Sequence, residues 1–146
     1  MPQRSVVAVG ASLLVASLAL AGCGTRGDDT EGTDTGSTEN KVAKIGVIAP
    51  LSGDLAALGK GIQNSVDLAI RQANEAKTIP GWTLELAAED DQATPDVGKN
   101  AATKLVADTD VVGVVGTLNS SVAQSVQPVL AAANVVQVSP ANTNPA

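Results

Sequence analysis

The chain has 146 residues, a net charge of −6 and no cluster of lysine or arginine, which argues against a nucleic-acid partner because phosphates require a basic surface. Histidine and tyrosine are absent, and there is a single cysteine. This composition removes the usual general base, most sets of metal ligands and any internal disulfide. We therefore expect no metal, no cofactor and no enzymatic activity, in one modest domain that follows an export segment.

Residues 1–22 have the pattern of a secretory signal peptide. Arg4 lies in a short amino-terminal region, and an apolar stretch rich in Val, Leu and Ala follows over residues 6–21. A transmembrane helix is the alternative interpretation. The stretch contains glycine and serine and is short for a complete span, so we favour the signal peptide.

The end of this stretch, Leu20-Ala21-Gly22-Cys23, resembles the bacterial lipobox, in which small residues precede a cysteine that becomes acylated. A buried structural cysteine is the alternative, but nothing around it is suited to form a core. We predict that a lipid on Cys23 anchors the protein to the cell membrane from the extracytoplasmic side. Residues 23–41 then form a lipidated cysteine and a disordered tether rich in Gly, Thr and Asp.

The predicted folded part, residues 42–146, begins with a strand, a helix and a strand. Residues 42–49 are mostly apolar and predict a central strand. From Leu58 to about Ala76, apolar residues recur at helical spacing and predict a long helix. Residues 82–88 alternate between apolar and polar side chains, which predicts a strand at the edge of a sheet.

Two adjacent carboxylates, Asp90 and Asp91, follow this second strand. We interpret them as a solvated loop, with acid/base catalysis as the less favoured alternative. Thr94 and Pro95 predict the N-cap and first residue of a second helix. The apolar face of this helix is predicted to consist of Val97, Ala101 and Leu105.

A third strand, a third helix and a fourth strand complete the pattern. The β-branched residues of 111–115 predict a strand covered on both faces, and Gly116 permits a sharp turn after it. The third helix is predicted to begin near residues 119–121, with Pro128 kinking or splitting it. The fourth strand is predicted over residues 135–138.

This strict alternation predicts an α/β fold with a doubly wound parallel sheet. An edge position for the second strand, with the first and third strands central, gives the strand order 2-1-3-4. In such a sheet, ligands bind beyond the carboxyl ends of the first and third strands, where the order reverses. The loops predicted to meet there span residues 50–61, 116–121 and 139–145.

Asn119, Ser120 and Ser121 place small polar side chains at the start of the third helix. The unpaired N–H groups and partial positive charge of a helix N-terminus favour an anion, although these residues are also typical helix caps. Dinucleotide binding is a competing interpretation that the sequence does not favour. The dinucleotide-binding motif is Gly-x-Gly-x-x-Gly directly after a strand. Gly59-Lys60-Gly61 lies too far past the first strand, and Asn64 stands where the third glycine of the motif would be.

Several segments resemble the branched-chain amino-acid-type periplasmic binding proteins: residues 48–53, 115–121 and, most specifically, 139–145. The resemblance covers residues 42–146 and implies the incomplete first lobe of a type I periplasmic binding protein. Members of that family are two-lobed receptors that close around a small solute and deliver it to an ABC transporter. In Gram-positive bacteria they are commonly lipoproteins, which agrees with Cys23.

The resemblance also implies a ligand site. Ser120 matches a residue that binds the α-carboxylate of the ligand, and Thr143 matches one that gives its N–H to the carboxylate and its hydroxyl to the ammonium. Ala141 matches a position whose carbonyl accepts from the ammonium. Leu58 matches a position that contacts the ligand side chain, with a role in the core as the alternative. The predicted set is completed by the neighbours of Ser120, which are Asn119 and Ser121.

On this resemblance we expect an extracytoplasmic receptor of an ABC importer that binds a branched-chain or related amino acid without chemistry. Its expected partners are the ligand, the transporter permease and, through the lipid, the membrane. Two alternatives stay open: a sensor domain of the same fold that feeds a signalling receptor, and a receptor for an amide, urea or an aromatic acid. An enzyme on this fold is disfavoured because histidine and a second cysteine are absent.

Overall fold

The computed structural model describes residues 40–144, which form alternating strands and helices. The strands are β1 (Lys41–Ala49), β2 (Trp82–Asp90), β3 (Val111–Gly116) and β4 (Val136–Val138), and the helices are α1 (Ala56–Glu75), α2 (Pro95–Val106) and α3 (Ser120–Ala132). All neighbouring strands are parallel, in the order β2-β1-β3-β4. The predicted α/β fold and strand order are thus confirmed.

The predicted signal peptide and Cys23 lie outside the described residues. Within residues 40–144, none of the helices combines the length and the apolar character needed to cross a bilayer.

Helix α3 continues through Pro128, so of the two predicted effects of this residue the split is wrong and the kink stays a prediction. Proline lacks the N–H that would bond to the carbonyl of Gln124, four residues earlier. Both residues lie on the exposed side of the helix, where water can replace the lost hydrogen bond. The helix therefore continues past Pro128 to Ala132.

The main core lies between one face of the sheet and helices α2 and α3. The predicted apolar face of α3 is confirmed, because Val122, Val126 and Leu130 are at most 1% exposed. They pack with β-strand residues and with the predicted face of α2, including Ile48, Ala101, Leu105 and Val114. This packing fixes the position of α3 relative to the carboxyl ends of β1 and β3.

The opposite face of the sheet is only partly covered, because α1 packs on β1 and β2. Between α1 and the sheet lies an apolar groove of about 420 Å³, whose lining includes Ile45 and Val115. Val112, Val136 and Val138 are 55%, 65% and 60% exposed. The prediction that β3 is covered on both faces is therefore wrong for Val112, where the register with β1 shifts. The two valines of β4 are exposed because α1 packs on β1 and β2.

Candidate ligand-binding site

The three loops predicted to meet lie at one rim of the sheet. Ile48 near the end of β1 is paired with Gly116 at the end of β3, and Val138 at the end of β4 is paired with Val115. Because the three strands are parallel neighbours, the segments that follow them leave the sheet side by side. Each segment is held there by side-chain hydrogen bonds.

The loop after β1 is held by Asp90. One carboxylate oxygen accepts from the N–H of Leu51 at 2.8 Å and from the N–H of Gln92 at 2.9 Å, and the other accepts from the Ser52 hydroxyl. Burial alone raises the pKa of Asp90, but the hydrogen bonds outweigh it and hold the pKa below its ordinary value. The interpretation of Asp90 as a solvated loop residue is therefore wrong, because its carboxylate fixes the start of the β1–α1 loop.

Asp91 is fully buried, so the same interpretation is wrong for it as well. Its Oδ1 accepts from the N–H of Ala93 at 2.8 Å, which closes a local turn. Its Oδ2 is buried and accepts no hydrogen bond from the described residues. Burial raises the pKa of Asp91, the Ala93 hydrogen bond opposes this rise, and the charge of Asp90 adds to it.

A raised pKa in the folded state makes Asp91 unfavourable for stability at neutral pH. We expect the free energy of unfolding to decrease as pH rises from the ordinary Asp pKa to the higher folded value, because the folded state then binds the additional proton. Each unit of difference between the folded and unfolded pKa of Asp91 corresponds to about 1.4 kcal/mol in the free energy of unfolding. The variant Asp91→Asn keeps an acceptor for the Ala93 N–H and should lose this slope in urea titrations at several pH values, whereas an unchanged slope would contradict the assignment.

The start of α3 presents its first turn without a side-chain cap. Asn119 occupies the N-cap position in an extended conformation, yet it makes no side-chain capping hydrogen bond within the described residues. Its carbonyl accepts instead from the N–H of Ala123 at 3.1 Å and from the buried Thr117 hydroxyl at 2.8 Å. Asn119 thus holds the N-cap position that the capping alternative gave it, but its side chain does not occupy the first N–H groups of α3.

Ser120 brings together the two groups predicted to bind a carboxylate. Its hydroxyl oxygen accepts from the backbone N–H of Thr143 at 3.2 Å and of Asn144 at 3.3 Å. Ser120 is the first residue of α3, and Thr143 lies in the loop after β4. A hydroxyl, the N–H of Thr143 and the N-terminus of a helix therefore meet at one point.

The other predicted residues lie near this point without being shown to contact a ligand. Ser121 and Ala141 are exposed beside Ser120 and Thr143, respectively. Leu58 lies in the first turn of α1, at the same rim, and its side chain is 57% exposed. This exposure contradicts the alternative role of Leu58 in the core. The ligand contacts themselves stay predictions.

Sequence reasoning missed three side chains, one in β4 and two in the loop after it, that bond to the end of β3 and the segment after it. They donate to the carbonyl oxygens of three consecutive residues, 116–118. Gln137 Nε2 donates to the carbonyl of Gly116 at 2.8 Å. Ser139 Oγ donates to the carbonyl of Thr117 at 3.4 Å, and Asn142 Nδ2 donates to the carbonyl of Leu118 at 3.2 Å. We call these three hydrogen bonds the carbonyl clamp. A usable signal was the polar Gln137 between two valines of β4.

The donors and acceptors at this rim suit a small polar solute better than a metal ion. Within residues 40–144, no group of three or more His, Cys, Asp or Glu side chains is placed to hold a metal. Backbone N–H groups and hydroxyls at a helix N-terminus stabilise a carboxylate. Exposed carbonyls and hydroxyls in the neighbouring loop can accept from an ammonium group.

In open parallel α/β sheets, a rim of this kind is the usual place for a small ligand. The chain belongs to the family described as periplasmic binding proteins, whose pattern it matches over residues 42–146. Membership in this family implies a location outside the cytoplasm.

Individual relatives agree with this assignment. The chain is 40% identical over 101 residues to the Leu/Ile/Val-binding protein BraC3 of Rhizobium johnstonii. This match covers 69% of the chain and 27% of the relative. The branched-chain amino acid transporter substrate-binding protein LivJ of Streptococcus pneumoniae, solved in complex with isoleucine, matches with a TM-score of 0.67 and 31% identity. This match covers 71% of the chain and 30% of LivJ.

A substrate-binding protein of an ABC transporter from Desulfitobacterium hafniense, solved in complex with Leu, matches with a TM-score of 0.61 and 28% identity over 72% of the chain. The chain spans 30% of that protein as well, so it corresponds to less than a third of each of these three relatives.

Proposed function

We propose that this chain is the amino-terminal part of an extracytoplasmic receptor that binds a branched-chain or related aliphatic amino acid and passes it to the permease of an ABC importer. The receptor performs no chemistry on the ligand. The relatives named above support the class of ligand and the transporter partner, because their names specify Leu/Ile/Val or branched-chain amino acids.

One observation carries the proposal: the hydroxyl of Ser120 and the N–H of Thr143 are 3.2 Å apart at the N-terminus of α3. In the receptor, the carboxylate of the ligand replaces this contact and accepts from both groups. The uncapped N–H groups of the first turn of α3 add partial positive charge at the same place. Charge-assisted hydrogen bonds of this kind are about twice as strong as neutral ones.

The remaining predicted residues give the site its other end. The carbonyl of Ala141 and the hydroxyl of Thr143 supply acceptors for the ammonium group, since both residues are exposed in the loop after β4. Leu58 offers an exposed apolar side chain at the same rim, which suits the aliphatic part of the ligand. Asn119 and Ser121 flank Ser120 and complete the contact surface.

We also propose that residues 42–146 form an incomplete first lobe, preceded by a signal peptide over residues 1–22 and a tether over residues 23–41 with a lipid on Cys23. The last residue of that range, Lys41, is already part of β1, so the tether ends before it. Two facts support the incomplete lobe. The chain spans 27–30% of its relatives, and the valines of β4 stay exposed on the α1 side of the sheet. In the receptor, further chain would cover that face.

The proposal is tested by isothermal titration of the full-length mature protein, prepared without Cys23, with leucine, isoleucine, valine and a panel of amides and aromatic acids. We expect an amino acid to bind and Ser120→Ala to weaken its binding by about 10- to 100-fold, because a charge-assisted hydrogen bond contributes about 1.5–3 kcal/mol. The matched control is Ser65→Ala. Ser65 is exposed on α1, and among residues 40–144 its hydroxyl bonds only to the carbonyl of Gly61 in its own helix.

Three outcomes change the proposal in different ways. Binding of an amide or aromatic acid alone would keep the receptor role and replace the ligand. Equal losses in the Ser120 and Ser65 variants would contradict the site. A folded protein that binds nothing in the panel would contradict the amino-acid receptor and favour the sensor alternative.

A further inference from the structure

The carbonyl clamp has no assigned role in ligand contact, yet it lies directly behind the predicted carboxylate site. We propose that it holds the two halves of that site together and that Asn142 is its main positioning residue. The inference rests on the proposed function, since it explains how Ser120 and Thr143 are kept in contact. It also has a consequence that can be measured without any ligand.

Asn142 connects the two segments closest to the ligand groups. Its side-chain Nδ2 donates to the carbonyl of Leu118 at 3.2 Å, two residues before Ser120. Its own backbone N–H donates to the Ser139 hydroxyl oxygen at 2.9 Å, and the next residue in the chain is Thr143. The side chain therefore fixes the backbone just before Thr143 against the backbone just before Ser120.

The chemistry of the partner assigns the donor role to the Asn142 amide. A backbone carbonyl only accepts hydrogen bonds, so the nitrogen of the side chain must face Leu118. The Oδ1 atom is buried and accepts no hydrogen bond from the described residues. A buried acceptor without a partner costs free energy, so the bond from the amide nitrogen to Leu118 is the side chain's one stabilising polar contact among the described residues.

The clamp supplements weak contacts in the site itself. The bonds from Thr143 and Asn144 to Ser120 measure 3.2 and 3.3 Å, at the long end of the range for N–H donors. Without the clamp, the loop after β4 would leave this arrangement more often. The ligand would then bind only those molecules in which Ser120 and Thr143 are in contact. Its apparent affinity would fall in proportion to the fraction of such molecules.

The test compares Asn142→Ala with the unmodified protein in the full-length mature protein. We expect faster amide hydrogen exchange at Thr143 and Asn144, with unchanged exchange in β1 and β3 and an unchanged melting temperature. In titrations with leucine, isoleucine and valine, we expect binding to weaken by about five- to ten-fold, the size of one neutral hydrogen bond. The change should appear mainly as slower association, because fewer molecules are competent when the ligand arrives.

The matched control is Asn100→Ala, an exposed asparagine on α2 that is not part of the carbonyl clamp, which should change neither exchange nor affinity. Unchanged exchange at Thr143 and Asn144 in Asn142→Ala would overturn the clamp, whatever the titrations show. Faster exchange with unchanged affinity would overturn the positioning role. Faster exchange in a protein that binds none of the three amino acids would support the clamp and count against the proposed function alone.

Discussion

Replacing Gly59 by alanine is expected to destabilise the protein by about 2–3 kcal/mol, although alanine is the better helix former. Gly59 lies in the first turn of α1, directly on the loop that follows β1. A Cβ atom at this position would be 1.9 Å from the carbonyl oxygen of Pro50 and 2.6 Å from its carbonyl carbon. Both atoms belong to the backbone, so no side-chain rotation relieves the overlap.

The measurement is the free energy of unfolding in urea, for the full-length mature protein with and without the substitution. Gly61→Ala provides the control, because a Cβ atom there meets nothing within 4 Å and the residue lies in the same helix. It should stabilise the protein by about 0.5–1 kcal/mol through helix propensity. Similar stabilities for the two variants would show that α1 can move away from Pro50 at little cost.

The sequence predicted the architecture because each element carries its own periodic signal. The alternation in β2 placed it at an edge, and the apolar spacing of α3 identified Val122, Val126 and Leu130, all of which are buried. These patterns are local, so one sequence suffices to recognise them. The rim of the sheet was located by the same reasoning, since parallel topology brings the loops to one side.

The contacts within the rim were less accessible to sequence analysis. Asp90 and Asp91 are neighbours of the same type, yet one carboxylate holds the β1–α1 loop and the other is buried. Their difference arises from the alternation of side chains at the end of β2, which directs Asp90 towards Leu51 and Asp91 towards the α2–α3 side near Gly98. The carbonyl clamp joins residues more than 20 positions apart, and no periodic pattern reports such a pairing.

A second large effect is expected where α2 crosses α3. A Cβ atom at Gly98 would be 2.3 Å from Cγ1 of Val122, so Gly98→Ala should cost about 2–3 kcal/mol in the free energy of unfolding. Val122 is completely buried, and a β-branched side chain in a helix has essentially one rotamer. The overlap can be relieved only by moving the helices apart.

The double variant Gly98→Ala/Val122→Ala separates this steric cause from a general loss of packing. Val122→Ala alone removes buried methyl groups and should cost about 1–3 kcal/mol. If the overlap is the cause, the methyl group at residue 98 occupies the vacated space, and the double variant is more stable than the sum of the single effects by about 1–3 kcal/mol. Additive losses in urea unfolding would contradict direct contact between the two positions.

The same cycle bears on the ligand site, because Val122 lies two residues after Ser120 in the first turn of α3. Separation of α2 and α3 by Gly98→Ala would shift Ser120 relative to Thr143, and their hydrogen bond, at 3.2 Å, is already long for an N–H donor. Amide exchange at Thr143 should therefore rise in Gly98→Ala and return towards its original rate in the double variant. Exchange that follows global stability alone, without recovery in the double variant, would show that the clamp sets the site independently of how α3 packs.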